Sequence, residues 1–170
     1  TDTRISGYMI RSALAAGITS MGIHIDFVGV LPTPGVSYLT RHLNADAGIM
    51  ISASHNPVQD NGIKIFSQNG YKLPDSVEEE LESLMENRDE LLKYQVAGDE
   101  LGRFKYVEDD MRIYLDFLTS TLKTDFKDLK IVIDTANGAA YRVAPKIFHR
   151  LKADVTVINN IPNGKNINVN

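Results

Sequence analysis

The chain has 170 residues, 43% of them apolar and 24% charged, with a net charge of −4. That balance supports a buried core in one ordinary domain or two small ones, and it speaks against a nucleic-acid partner. Zero cysteines exclude a disulfide framework, a catalytic thiol and a cysteine-based zinc site. No apolar run approaches the about 18 residues that a membrane span needs. Thr1–Ser6 lacks signal-peptide character, so a cytoplasmic setting with no membrane partner is expected.

Ile10, Leu14, Ile18 and Met21 recur at helical spacing, with Ser6 placed to act as N-cap. Ile25–Val30 is β-branched and aromatic, hence a strand, closed by the turn Pro32-Thr33-Pro34-Gly35. Val36, Leu39 and Leu43 predict a short helix. Ala47–Ile51 is apolar on consecutive residues, which suits a strand covered on both faces. Ile63–Phe66 is the next strand and Asn69-Gly70 the next turn.

Asp75 opens an acidic helix whose Val77, Leu81, Leu84 and Met85 form one stripe. Residues 75–110 hold 13 acidic and 4 basic side chains, a local balance of −9 that leaves +5 for the remainder. The acidic stretch reads as a solvated face, and the flanking regions tolerate an anionic small molecule. Residues 93–105 have no period and are expected to be a connection. Met111, Tyr114, Leu115, Leu118 and Leu122 predict a helix, Ile131–Ile133 a strand, Ala144–Leu151 a helix and Val155–Ile158 a last strand.

Strand and helix alternate, so the expected fold is α/β, with a mixed, largely parallel sheet flanked by helices. Residues 1–105 form the first domain. Residues 106–170 are a linker helix and the opening of a second, similar α/β unit, cut short.

The chemistry gathers in GIMISASHNPVQDNGIKIF, residues 48–66. Loops beyond the carboxyl ends of strands line ligand crevices in α/β sheets. Ser54 stands in such a loop, with His55 beside it as a base and Lys64 as a point charge for an anion. Asn56, Asn61 and the amides around Gly62 add donors. That setting suits phosphate chemistry better than acyl transfer, for which the frame G-x-S-x-G is absent. Ser, Asn, Pro and Gly are also the ordinary residues of turns, so residue chemistry alone leaves both readings open.

The stretch Ser52-Ala53-Ser54-His55-Asn56-Pro57, continuing through Asp60-Asn61-Gly62-Ile63-Lys64, resembles the phosphoserine loop of the α-D-phosphohexomutases. Its surroundings resemble the branch of that family acting on glucosamine phosphates. Asp2-Thr3-Arg4-Ile5-Ser6-Gly7, Pro32-Thr33-Pro34-Gly35, Ile133–Ala139 and Pro162–Asn168 agree with further family segments, in order.

The resemblance implies that Ser54 carries a phosphoryl group to a phosphorylated amino sugar, through a bisphosphorylated intermediate. It implies Mg²⁺, ligated by Ser54 through its phosphate, the remaining ligands being absent from this chain. His55 and Lys64 match the family's residues beside the phosphoserine. Arg4, Asn56 and Asn61 belong to its phosphate environment, and a homodimer is left open. The family's D-G-D-x-D-R metal loop, its sugar loop and its last phosphate loop are not found here. A fragment, inactive without the C-terminal domains of its own chain, is therefore expected. Specificity for another hexose phosphate, or a non-catalytic phosphate-binding module, are the alternatives.

Overall fold

The computed structural model describes residues 1–169, apart from the Arg88 side chain. Helix α1 (Ser6–Ser20) is built around Ala13, Leu14, Ala15 and Ala16, strong helix formers. It stops at Gly22, whose φ of +80° only glycine adopts freely. The N–H of Gly22 donates to Thr19 O at 3.1 Å and that of Ile23 to Ile18 O at 3.4 Å. These are the paired bonds of a Schellman cap. Ser6 is not the N-cap expected of it. Ile5 holds that position and is already in the right-handed helical region, so the first turn begins before Ser6.

Strand β1 (Ile25–Phe27) is shorter than the predicted 25–30 and stops before Gly29, which turns to φ +62°. Helix α2 (Thr33–His42) follows, with Pro34 in its first turn. It buries Val36, Leu39 and Thr40. Strand β2 (Ala47–Ile51) lies close beneath it. A Cβ on Gly48 would stand 2.0 Å from Thr40 Oγ1, so glycine is what lets helix and strand approach.

Strand β3 (Ile63–Ser67) runs antiparallel to β2, from Ala47 opposite Ser67 to Ile51 opposite Ile63. Residues 52–62 between them include no helix, and a parallel return needs a longer crossover. Helices α3 (Asp75–Glu86) and α4 (Arg88–Leu92) come next. Strand β4 (Phe104–Tyr106) then pairs in parallel with β1, Ile25 opposite Phe104. That strand falls mainly in the stretch expected to be a connection. Three residues are too few to show a period; packing decides, with Phe104 and Tyr106 at 5.7 and 5.3 Å from the Phe27 ring.

Helix α5 (Asp110–Ser120), strand β5 (Lys130–Asp134), helix α6 (Val143–Arg150) and strand β6 (Asp154–Ile158) complete the chain. β5 and β6 are parallel, Lys130 opposite Asp154, joined through α6 as a strand–helix–strand unit. The architecture is thus mixed α/β, with parallel pairs β1–β4 and β5–β6 and the antiparallel pair β2–β3. Leu31, Val36, Leu39, Met50, Phe66, Tyr114, Leu115 and Val143 form one apolar cluster, drawn from both sides of residue 105. Tyr38 of α2 stacks on Phe117 of α5 at 4.0 Å.

Thr1 and Asp2 stitch the ends of β1 and β2 together. The Thr1 amino group donates to Gly29 O at 2.9 Å. Thr1 O accepts from Leu31 N at 3.3 Å, and Asp2 N donates to Ile51 O at 3.1 Å. Asp2 is thereby delivered to the foot of the loop that leaves β2.

Candidate active site

The serine loop occupies residues 52–62 and is pinned where it leaves the ladder, Ser52 N donating to Gly62 O at 2.8 Å. Two internal turns shape it: Asn56 N bonds Ala53 O and Asp60 N bonds Pro57 O, each at 3.1 Å. Ser54 is exposed and has φ +57°. That left-handed conformation costs a side-chain-bearing residue about 1–2 kcal/mol, so its surroundings must enforce it.

They do so through the backbone. Ser54 N–H donates to Ser52 Oγ at 3.1 Å. Its carbonyl accepts from Arg4 Nη2 at 3.2 Å and from Asn168 Nδ2 at 3.3 Å. Among the described residues no hydrogen bond uses Ser54 Oγ, so the hydroxyl is presented while its backbone is held.

Beneath the loop lie Asp2 and Arg4, 4% and 1% exposed. The Asp2 carboxylate pairs with Arg4 Nη1. It also accepts from Arg4 N at 3.0 Å and from the Ser52 hydroxyl at 2.7 Å. Arg4 Nη2 reaches Asn56 O at 2.6 Å as well. A buried charge pair persists only when its remaining donors and acceptors are met. Here they are met by the loop itself, save Arg4 Nε, which is buried without a partner.

The predicted site residues are distributed around this platform. Arg4 sits under the loop and bonds its carbonyls. Lys64, half-buried on β3 opposite Met50, donates from Nζ to Ser52 O at 3.4 Å. Asn61 ties the loop to α1, donating from Nδ2 to Ser6 Oγ at 2.9 Å, and its Oδ1 accepts from Gly62 N at 2.9 Å. Asn56 donates from Nδ2 to Asp60 Oδ2 at 3.1 Å. His55 is exposed next to Ser54.

Sequence reasoning passed over Asp2, Ser52, Asn137 and Asn168. Ser52 stands two residues before Ser54, the spacing at which a serine side chain takes the N–H of a following residue. Asp2 stands two residues before Arg4 in the same relation. Asn137 lies at a left-handed turn (φ +52°) and accepts from Thr3 Oγ1 at 2.5 Å through its carbonyl. Its side chain donates to Asn166 O at 3.1 Å and accepts from Ile161 N at 3.0 Å. Asn168 N bonds Ala136 O at 2.9 Å, and Ile5 N bonds Gly164 O at 2.9 Å. The density of asparagines after residue 159 was the visible sign of this belt.

For a divalent metal the donor set is thin. Among the described residues no three His, Asp or Glu side chains converge, and Asp60, the loop's own carboxylate, is taken by Asn56. A complete Mg²⁺ site does not fit these residues alone. What the loop presents is an exposed serine hydroxyl with His55 next in the chain and the Lys64 ammonium bonded to Ser52 O, residue types suited to phosphoryl transfer.

Comparison with known proteins agrees. The phosphoglucosamine mutase of Fusobacterium nucleatum is 62% identical over 169 residues, covering 99% of this chain and 37% of that protein. The phosphoglucosamine mutase of Desulforamulus reducens is 56% identical over 168 residues, covering 98% and 37%. This chain therefore spans just over a third of the length of such relatives. The crystal structure of a phosphoglucomutase/phosphomannomutase family protein from Burkholderia thailandensis superposes with a TM-score of 0.76 at 23% identity. It covers 96% of this chain and 35% of that one, and supports the fold. Residues 1–92 match the phosphoglucomutase/phosphomannomutase α/β/α domain I. Since that match takes in the serine loop and more than half of the residues, the chain belongs to the phosphoglucomutase/phosphomannomutase family.

Proposed function

We propose that this chain supplies the phosphoserine loop of a phosphoglucosamine mutase, interconverting glucosamine 6-phosphate and glucosamine 1-phosphate. The observation that carries the reading is Ser54: its backbone is held at N–H and C=O while its hydroxyl is exposed. In the first half-reaction the bond from phosphorus to Ser54 Oγ breaks as a bond to a sugar hydroxyl oxygen forms. The sugar hydroxyl gives its proton to one neighbouring group and Ser54 Oγ takes up a proton as it leaves, His55 in the loop and Lys64 Nζ on β3 being the groups for these two transfers. The bisphosphorylated sugar reorients, its other phosphoryl group returns to Ser54 Oγ, and the phosphate count is conserved.

Lys64 also stabilises charge on the transferred group. Arg4, Asn56 and Asn61 shape the environment of the phosphate by holding the loop. This chain would contribute only the phosphoserine oxygen at Ser54 to a Mg²⁺ site, whose further ligands the described residues do not supply; such an ion would neutralise charge on the phosphoryl group. Residues 1–105 act as the first domain and residues 106–170 as a linker helix and the opening of a second. The parallel β5–α6–β6 unit fits the opening of a second unit, while strand β4 and the apolar cluster run across residue 105 and tie the two parts together. The absence of cysteine suits a cytoplasmic setting.

Intact-mass measurement of the full-length protein tests this reading. A stable phosphate on Ser54 that moves to glucosamine phosphate is expected, with Ser54→Ala lowering turnover by about 10³-fold or more. Turnover unchanged in Ser54→Ala would dismiss it.

A further inference from the structure

We propose that Ser52 and Asp2 are positioning residues for Ser54, forming a relay that sets the left-handed backbone from which the phosphoryl-carrying hydroxyl is presented. The inference rests on the reading of Ser54 as phosphoryl carrier. It starts from a constraint on one proton. The Asp2 carboxylate is held by Arg4 through Nη1 and through the backbone N–H. An ionised carboxylate only accepts, so the Ser52 hydroxyl must aim its hydrogen at Asp2, 2.7 Å away. That leaves an oxygen lone pair of Ser52 for the N–H of Ser54 at 3.1 Å.

Only a hydroxyl donates and accepts at once in so small a volume. Ser52 is 6% exposed and Asp2 4%, so the bond between them is shielded from water, and it fixes the hydroxyl that Ser54 N–H meets. Ser52 is fixed in its own backbone by its N–H to Gly62 O at 2.8 Å. The relay therefore runs from a buried carboxylate, through a rigid residue, to the amide of Ser54. Without it the amide of Ser54 loses its partner and only the carbonyl bonds from Arg4 and Asn168 still hold the residue, which shifts toward the extended region and carries its side chain with it. Such a shift moves the hydroxyl relative to the substrate and slows the chemical step without removing any substrate contact.

The alternative is that Ser52 merely satisfies Asp2 and contributes stability. The two differ in kinetics. In the full-length protein, Ser52→Ala is expected to lower kcat about 10- to 100-fold while KM for glucosamine 6-phosphate changes less than about twofold. Ser52→Thr, which keeps both bonds, is expected to return kcat to within about threefold of the parent. Should Ser52→Ala not fold, Ser52→Cys takes its place, the weakly bonding thiol giving a kcat loss of about tenfold. A folded Ser52→Ala or Ser52→Cys with parental kcat, or a kcat loss that Ser52→Thr does not repair, overturns the relay. Ser54→Ala runs alongside: if it is inactive and Ser52→Ala is not impaired, the relay alone fails. If Ser54→Ala is active, the phosphoryl-carrier reading fails first.

Discussion

Asn168 Nδ2 stands 3.3 Å from the carbonyl oxygen of Ser54, across 114 positions of the chain. With the bonds from Thr3 to Asn137 and from Ile5 to Gly164, it makes the serine loop a composite of three segments. Replacing Asn168 by Ala removes one of two donors to that carbonyl and leaves Arg4 in place. Stability is expected to fall by no more than about 1 kcal/mol, read from urea unfolding. The Ser54 amide, which bonds Ser52 Oγ, is expected to exchange faster with deuterium. An unchanged exchange rate would remove Asn168 from the loop's support.

Arg4→Met is expected to be far more damaging, because it leaves the Asp2 carboxylate buried without its partner. Losing one member of a buried pair costs about 3–5 kcal/mol, measurable by denaturant unfolding. Adding Asp2→Asn to Arg4→Met is expected to recover part of that loss, since neutralising the orphaned carboxylate removes the unpaired charge. A loss below about 1 kcal/mol in the single variant would contradict the buried pair.

Gly48→Ala tests the contact between α2 and β2. The added methyl meets Thr40 Oγ1, a buried side chain that already bonds Val36 O at 2.9 Å and cannot swing away freely. Overpacking of this kind is expected to cost about 1–3 kcal/mol, seen as a lower thermal midpoint. Recovery of the midpoint when Thr40→Ala, which removes Oγ1, is added to Gly48→Ala would identify the clash.

Much of the fold was legible because the long elements repeat. The stripe from Ile10 to Ile18, the run Ala47–Ile51 and the βαβ signal from Ile131 to Ile158 each announce a period or a length. Strand β4 was not legible: Phe104 and Tyr106 take strand geometry because Phe27 offers them a ring to pack on, a fact about residues distant in sequence. The site divides the same way. Ser54, His55 and Lys64 stand in a contiguous motif. The partners that hold Ser54 from below were hidden because Asp2 and Asn168 meet it only after folding. Ser6 was misplaced for a related reason, its hydroxyl serving Asn61 instead of the helix end.

Helix α3 buries none of its residues, and Met85 in its apolar stripe is 76% exposed. A helix so anchored opens at little free-energy cost compared with the core strands. A protease is therefore expected to find its first cut there, between residues 75 and 86, long before it reaches the loop that the Asp2–Arg4 pair holds shut. The molecule thus keeps a segment that is easily breached apart from the loop that the buried Asp2–Arg4 pair secures.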